Sequence, residues 1–291
     1  MNDITITQNE KREIREALRQ YVARYASQRK AAASLEGVSA GTVNSILNDK
    51  AQNVSVEMWK RIENQVGCVN AGEWILVDTV AAKEMSFAMS DAQEWRNVTW
   101  VVGEAGCGKT TAARQYEREH DNVFYVLCSE DMKRSDFIRE VAKKVGLRTD
   151  GMTLREMMDA IIVELIQTEQ PVLLFDEADK LTERVFHYFI DLYNRLEDKC
   201  GIVFFSTSYI KKRMRMGLQF DKKGYNEIHS RIGRKFFELT KTEATDVYQI
   251  CSANGLTDKS DIVDVVRDAE TFDFDLRRVK KAIHRAKRMR G

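Results

Sequence analysis

A glycine-rich stretch that ends in a lysine and two threonines offers the clearest chemistry in this sequence. Residues 103–110 read Gly-Glu-Ala-Gly-Cys-Gly-Lys-Thr, which is the G-x-x-x-x-G-K-T spacing of a phosphate-binding Walker A loop. The glycines let backbone N–H groups turn toward phosphate oxygens, and the helix predicted to follow adds its partial positive charge. Lys109 can reach the β- and γ-phosphates, and the Thr110 hydroxyl can ligate Mg²⁺. The predicted nucleotide-binding residues of this loop are Gly103, Gly106, Cys107, Gly108, Lys109, Thr110 and Thr111.

A second motif places carboxylates at the end of an apolar run. Residues 171–179 read Pro-Val-Leu-Leu-Phe-Asp-Glu-Ala-Asp, as expected for a buried parallel strand with a Walker B ending. We expect Asp176 to complete the Mg²⁺ site and Glu177 to polarise the attacking water. Together the two motifs predict a site that binds ATP with Mg²⁺ and hydrolyses it.

The composition is that of a globular protein with a substantial core. The 291 residues are 43% apolar and 31% charged, and the net charge of +1 gives no global argument for nucleic acid binding. Five cysteines without a C-x-x-C spacing favour reduced thiols over a disulfide framework or a zinc site. No signal peptide and no long apolar span stand out, so we expect a cytoplasmic protein without a membrane partner.

The elements that must position the two motifs alternate between strands and helices from residue 98 onward. Strands are predicted to end at Val102 and to cover 122–128, 171–176 and 201–208, with helices at 132–146, 152–167 and 182–199. This alternation predicts an α/β fold, a mostly parallel sheet with helices on both sides and a nucleotide at the carboxyl ends of the strands. The connector at 68–97, partly helical, is expected to wall the adenine.

The N-terminal region shows the pattern of a small helical unit. A helix predicted at 8–25 is followed by a helix-turn-helix pattern over 29–47, in which Gly37 makes the left-handed turn and Ser39 caps the second helix. Thr42 and Asn44 are predicted to face a DNA major groove. Residues 1–70 carry only ten Lys and Arg against eight Asp and Glu, which favours a weak, sequence-tolerant contact. The alternative is a packing module with no role in DNA binding.

Two basic segments follow the last predicted strand. Residues 209–235 carry nine Lys and Arg against two acids and are interrupted by Gly217 and Gly224, which predicts a partly mobile loop, either solvated or in contact with phosphates. Helices are then predicted at 242–251, 258–268 and 273–290. Eight Lys and Arg follow Asp275 in the last one, which indicates either an anionic-surface contact or a solvated helix end.

These motifs together resemble those of AAA+ ATPases and, more narrowly, the phage Mu B family of transposition proteins. The narrower resemblance rests on the order of the helix-turn-helix, Gly-Lys-Thr-x-Ala-Ala-Arg, Asp-Glu-Ala-Asp and Ser-Arg-Ile motifs, and covers residues 20–285. It implies an ATP-dependent protein that oligomerises on duplex DNA as a helical filament or ring, selects target sites and recruits a transposase. It also implies a phage or mobile element as the source and a bacterial cytoplasm as the location.

The resemblance assigns roles to single residues. Thr207 takes the sensor 1 position, where the family usually has Asn, and Arg277 takes the sensor 2 position, with Phe274 in place of a usual Gly. Arg231 matches the arginine finger that acts on a neighbouring subunit's ATP, and Arg234 is the alternative. Predicted DNA contacts in the pore are Lys133, Arg134, Lys211, Lys212 and Arg213.

The predicted architecture is an N-terminal all-α helix-turn-helix domain (1–68), a P-loop AAA+ domain with a parallel sheet flanked by helices (69–238), and a C-terminal helical lid with a basic tail (239–291). Two other functions stay open at this point. One is a replication-helicase loader or initiator of the same ATPase class. The other is a helix-turn-helix transcriptional regulator that nucleotide binding switches without turnover.

Overall fold

The computed structural model describes residues 6–66 and 74–290. The predicted boundary between the first two domains, at residues 68 and 69, lies outside these residues. Within the two described ranges, no helix has both the length and the apolar character that crossing a membrane requires.

Over residues 6–66, the structure describes four helices in the N-terminal unit, namely α1 (Gln8–Ala23), α2 (Gln28–Ser34), α3 (Ala40–Leu47) and α4 (Val56–Val66). Their apolar faces meet in one core around Ile14, Val43 and Trp59, all fully buried. Gly37 has φ 66°, and the Ser39 hydroxyl accepts a 3.0 Å hydrogen bond from the Thr42 N–H. The predicted turn and cap of the second helix are therefore confirmed, whereas contact with DNA stays a prediction.

The described residues include five strands in one parallel sheet, β1 (Val98–Val102), β2 (Val123–Leu127), β3 (Val172–Asp176), β4 (Gly201–Ser206) and β5 (Phe237–Glu238). Their order is β2-β3-β4-β1-β5, and each pairing is parallel. Parallel pairing brings the carboxyl ends of all strands to one edge. Val102 pairs with Ser206 there, and Leu127 pairs with Asp176.

Helices cover both faces of the sheet, and they are α5 (Val80–Trp95), α6 (Lys109–Glu119), α7 (Arg134–Lys144), α8 (Leu154–Gln167), α9 (Glu183–Leu196), α10 (Tyr209–Gln219) and α11 (Tyr225–Arg231). Helices α5 and α6 pack against one face, where Tyr125 and Leu174 point. Helices α7 to α11 pack against the other, where Phe175 and Phe204 point. Burial on both faces is why these strands read as continuous apolar runs.

The prediction of a partly mobile loop at 209–235 is wrong. Most of this segment forms α10 and α11, because Ile210 and Met214 bury one face of α10 and Ile228 buries one face of α11. Gly217 acts as a packing residue, since a Cβ at this position would overlap the Tyr225 ring. The basic residues of α10 and α11 are therefore carried on a regular helical backbone.

Three helices form the C-terminal lid, namely α12 (Ala244–Ala253), α13 (Lys259–Thr271) and α14 (Leu276–Arg290). Trp74 and Val77 of the connector pack into their core. The last helix begins three residues later than predicted, because Asp273 and Phe274 have φ of 50° and 55°. The Leu276 N–H then donates a 3.1 Å hydrogen bond to the Gly106 carbonyl, which ties the lid to the glycine-rich loop.

Candidate functional site

The glycine-rich loop joins the carboxyl end of β1 to the start of α6. Gly106 and Gly108 have φ of 80° and 97°, in the left-handed region that favours glycine. A Cβ on Gly106 would also overlap the Asp275 carboxylate, so the lid and the loop approach closely only because this residue is glycine. The Lys109 ammonium donates 2.7 Å hydrogen bonds to the carbonyl oxygens of Gly103 and Glu104. It is therefore positioned at the concave side of the loop.

The Asp176 carboxylate is held at the carboxyl end of β3 and is only 1% exposed. Its Oδ2 accepts hydrogen bonds from the Thr110 hydroxyl at 2.6 Å and the Tyr125 hydroxyl at 2.9 Å. Its Oδ1 accepts from the Glu177 N–H at 2.9 Å. Three donors thus satisfy the oxygens of this buried carboxylate. Burial, followed by the charge of Asp176, raises the pKa of Tyr125, so this phenol stays a donor.

The Thr110 and Asp176 oxygens fit Mg²⁺ as a cofactor. Mg²⁺ in nucleotide sites usually takes one or two protein oxygens and fills its remaining positions with waters and phosphate oxygens. Among the described residues, no group of three or more His, Cys, Asp or Glu could hold a metal by itself. Thr110 and Asp176 are the residues that would hold the ion.

Glu177 follows Asp176 in a left-handed conformation, with φ 54°. Its carboxylate forms a 2.6 Å ion pair with Lys180, and this hydrogen bond raises the pKa of Lys180. The Thr207 hydroxyl, beyond the end of β4, donates a 2.6 Å hydrogen bond to Asp179 Oδ2. The predicted general base and the predicted sensor 1 residue thus belong to one polar group at the sheet edge.

A cavity of ≈ 630 Å³ joins these groups, and this volume suits a nucleotide. Its polar wall is formed by the loop from Gly106 to Thr111 together with Asp176, Glu177, Thr207 and Arg277. Its apolar wall comes from the connector, α5 and the lid, and includes Leu76, Val77, Met89, Ile250 and Leu276. The connector therefore lies where a base would bind. Gly103 contributes to the site through its carbonyl oxygen, which accepts the hydrogen bond from the Lys109 ammonium.

Arg277 reaches the cavity from the first turn of α14. Its backbone N–H donates a 2.8 Å hydrogen bond to Asp275 Oδ1, which caps the helix. Phe274 keeps the left-handed backbone that glycine would adopt more easily, at a cost of roughly 1–2 kcal/mol. The unusual residue at the start of the motif therefore leaves the turn intact.

Arg231 lies away from this cavity and is held within its own subunit. Its Nε and Nη2 donate to Asn194 Oδ1 at 3.2 and 2.5 Å, and Nη1 lies 3.3 Å from the Glu227 carboxylate. The guanidinium also stacks on Tyr193, 5.2 Å from the ring centroid. Arg231 therefore has less freedom to enter another subunit's site than its sequence position indicates.

Arg234 has a different environment from Arg231. It is exposed, its backbone has φ 59°, and its side chain makes no hydrogen bond or ion pair with the described part of the chain. The turn that carries it lies between α11 and β5. Of the two candidates for the arginine finger, Arg234 is the one whose guanidinium can contact another subunit without first breaking bonds to the described part of its own chain.

The predicted DNA contacts fall into two groups. Lys133 and Arg134 are exposed at the start of α7, and Lys212 is exposed at the start of α10. On α3, Asn44 is exposed and Thr42 is half-buried. Lys211 forms a 2.5 Å ion pair with Glu238 and is partly exposed. None of these positions is incompatible with the prediction, which stays a prediction.

Arg213 does not fit that group, and its assignment as a DNA contact is corrected. Its Nη1 donates to the carbonyl oxygens of Asp179 and Leu181 at 3.1 and 2.6 Å. Arg213 shares a helical face with the buried Ile210, Met214 and Gly217, and this i, i+3, i+4 and i+7 spacing is a signal in the sequence that could have placed it inward. Sequence reasoning also missed Tyr125 and Lys180.

Comparison with known proteins agrees with the observed fold. Residues 93–214 match the family model of the AAA domain. The chain is 24% identical over 238 residues to the Mu-like prophage FluMu DNA transposition protein B of Haemophilus influenzae, which covers 79% of this chain and 81% of that protein. It is 25% identical over 247 residues to the ATP-dependent target DNA activator B of Escherichia phage Mu, and this alignment covers 83% of this chain and 77% of that protein.

A solved structure supports the fold alone. The Orc1 protein of Aeropyrum pernix in complex with DNA matches with a TM-score of 0.55 at 16% identity, over 76% of this chain and 63% of that chain. The predicted AAA+ fold, a parallel sheet flanked by helices, is confirmed, and so is the resemblance to the Mu B proteins.

Proposed function

We propose that this chain, an AAA+ protein similar to the Mu B transposition proteins, hydrolyses ATP to control its hold on duplex DNA during selection of a transposition target. The observation that carries the proposal is the assembled site of Thr110, Asp176 and Glu177 beside a lidded cavity. The names of the two relatives, a DNA transposition protein and an ATP-dependent target DNA activator, support the DNA-related part.

The chemistry at the site follows from the positions of the polar groups. A bound triphosphate replaces the loop carbonyls as the partner of Lys109, and the helix dipole of α6 adds to the attraction. Mg²⁺, when bound, neutralises charge on the β- and γ-phosphates. Glu177 has to leave Lys180 before its carboxylate can orient a water and take its proton. Thr207 and Arg277, which both line the cavity, are the residues that would contact the transferred phosphate.

Hydrolysis on this proposal needs more than one subunit. An arginine finger supplied by a neighbour raises the rate by about 10³–10⁵-fold in related phosphoryl-transfer enzymes. Arg234, which is exposed, fills that role better than Arg231, which is held by Asn194 and Glu227. A helical filament or a ring of identical subunits brings the finger to the neighbouring site, so isolated subunits turn over slowly.

Duplex DNA provides the scaffold for that assembly. We assign the DNA contacts to exposed cations and to the second helix of the helix-turn-helix unit, namely Lys133, Arg134, Lys211, Lys212, Thr42 and Asn44. The basic side chains of α14 add a further sequence-independent attraction. The assembled protein then recruits a transposase in a bacterial cytoplasm, as part of a phage or mobile element.

Turnover measured against protein concentration tests the proposal, with and without non-specific duplex DNA. We expect a steep concentration dependence and strong DNA stimulation, and Glu177→Gln should trap a stable DNA-bound polymer. Flat or absent turnover together with tight binding to one operator sequence would instead support the nucleotide-switched regulator. Stimulation by a replicative helicase in place of DNA would support a helicase loader.

A further inference from the structure

The inward side chain of Arg213 connects two parts of the ATPase domain that carry different functions. One is the turn from Glu177 to Leu181, which includes the 3₁₀ turn Ala178–Lys180. The other is the pair of helices α10 and α11, which we call the arm and which leads to Arg234. We propose that Arg213 is a positioning residue that holds the Glu177 turn and couples it to the arm. This inference rests on the proposed ATPase function.

The contact with the turn is made through backbone oxygens. Arg213 Nη1 donates to the Asp179 carbonyl at 3.1 Å and to the Leu181 carbonyl at 2.6 Å. Glu177 lies two residues before the first of these acceptors and has the left-handed backbone described above. A bond to the chain on this side of Glu177 therefore restricts where its carboxylate can point.

The same turn is also held from the sheet. The Asp179 side chain accepts the Thr207 hydroxyl bond at 2.6 Å, while the Asp179 carbonyl accepts from Arg213. Thr207 and Arg213 thus form hydrogen bonds to the same residue, Asp179, one to its side chain and one to its backbone. Asp179 is therefore bonded both to Thr207 at the end of β4 and to Arg213 on α10, so a shift of α10 relative to the sheet changes the position of the turn.

The other side of Arg213 is bonded within the arm. Its Nε donates to the Tyr225 hydroxyl at 3.1 Å, and Tyr225 begins α11. The Tyr225 hydroxyl in turn donates to Glu183 Oε1 at 3.2 Å. The guanidinium also stacks on Phe186, 4.1 Å from the ring centroid. The planar guanidinium of Arg213 therefore contacts α9, α11 and the Glu177 turn at the same time.

This placement gives the arm a direct mechanical connection to the general base. Helix α10 carries Lys211 and Lys212, the proposed DNA contacts, and α11 ends three residues before Arg234, the proposed finger. When DNA or a neighbouring subunit moves the arm, Arg213 passes the movement to the turn that carries Glu177. DNA stimulation of turnover is then transmitted within each subunit, in addition to any effect of assembly.

Lysine cannot replace Arg213 in this role. Its ammonium is a point charge on a flexible stem, whereas the guanidinium presents donors in fixed directions to the two carbonyls and the phenol. A residue that only contacted phosphates would tolerate lysine. The pair of variants Arg213→Lys and Arg213→Gln therefore separates the two roles.

The experiment uses the full-length protein and compares Arg213→Lys, Arg213→Gln and Arg215→Gln. Arg215 is exposed on the same helix, so its loss controls for the change of charge. Three quantities are measured, namely the Kd for a fluorescent ATP analogue, the Kd for duplex DNA and DNA-stimulated turnover at saturating ATP. Hydrogen–deuterium exchange of the segment 177–183 and of α6 is measured alongside.

Both Arg213 variants should lower DNA-stimulated turnover by about tenfold or more, because a misplaced general base forfeits part of a contribution of about 10²–10⁴-fold. The two Kd values should stay within about twofold, and Arg215→Gln should behave as the unmodified protein. The N–H groups of Lys180 and Leu181, which bond to the carbonyls of Glu177 and Ala178, should exchange faster, while α6 should not change.

Two results would overturn the inference. One is a weaker affinity for DNA in Arg213→Gln that Arg213→Lys restores, which indicates a phosphate contact. The other is unchanged exchange of the segment 177–183 in both variants. If the unmodified protein hydrolyses no ATP, the proposed function fails by that result, and the exchange measurement still decides whether Arg213 holds the turn.

Discussion

The Thr110 hydroxyl donates a 2.6 Å hydrogen bond to the Asp176 carboxylate, across 66 positions of sequence. Thr110 is in the first turn of α6 and Asp176 ends β3, and they meet because parallel strands end at one edge of the sheet. The bond aligns the two oxygens that we assign to Mg²⁺ before any nucleotide contributes its own.

Replacing Thr110 with valine should abolish most of the turnover while the fold is retained. The variant keeps the branched shape but removes both the metal ligand and the donor to Asp176. We expect kcat to fall by at least about 100-fold, which corresponds to an increase of about 2.7 kcal/mol in the activation free energy. Turnover at saturating ATP and Mg²⁺ measures it, with the thermal midpoint as the control for folding. Turnover within a few-fold of the unmodified protein would contradict the assignment of Thr110.

Replacing Tyr125 with phenylalanine tests the second donor to Asp176. The hydroxyl bond at 2.9 Å is lost, and a hydrogen bond to a charged group contributes about 1.5–3 kcal/mol. We expect the Mg²⁺ concentration for half-maximal turnover to rise by about tenfold or more, while the affinity for ATP without metal stays the same. Because burial and the charge of Asp176 raise the pKa of Tyr125, the effect should not depend on pH near neutrality.

Tyr116→Phe is the matched control for that experiment. It removes a phenol whose hydroxyl donates to Gln93 at 2.7 Å and has no bond to Asp176. A similar shift of the Mg²⁺ dependence in both variants would mean that Tyr125 acts through general packing and not through Asp176.

Short-range patterns predicted much of the fold because their meaning is local. The glycine spacing of the loop, the apolar run before Asp176 and the turn at Gly37 each depend on neighbours within a few residues. Contacts between distant segments could not be predicted in this way. Charge alone predicts a surface position for Arg213, and Gly217 resembles a chain breaker in the sequence because the Tyr225 ring that it accommodates comes later in the chain.

The two finger candidates should respond differently to alanine. Arg234→Ala should lower turnover by about 10³-fold or more without changing the thermal midpoint, because an arginine finger is worth about 10³–10⁵-fold and the exposed side chain has no partner in the described residues. Arg231→Ala should lower the free energy of unfolding by about 1 kcal/mol through the lost bonds to Asn194.

A mixture of two inactive variants shows whether the finger acts between subunits. Arg234→Ala retains Glu177, and Glu177→Gln retains Arg234, so a mixed assembly contains some sites with both groups. We expect turnover to reappear on mixing in the presence of duplex DNA. Mixtures that stay as inactive as their components would exclude Arg234 as a trans-acting group.

Glu117 on α6 should make the stability of the protein depend on pH. Its carboxylate is largely removed from water, and this desolvation raises its pKa above the ordinary 4.5, although Lys144 at 4.0 Å opposes the shift. A carboxyl whose pKa is raised on folding favours the folded state below the unfolded pKa. That contribution is lost as the pH rises through the folded pKa.

Glu117→Gln removes the titrating group and keeps the shape of the side chain. The free energy of unfolding of this variant, relative to the unmodified protein, should therefore increase as the pH is raised from about 4 toward 7, and should level off above the folded pKa. Denaturant titrations across this range measure the difference. A difference that falls with pH would mean that the attraction of Lys144 outweighs desolvation at Glu117.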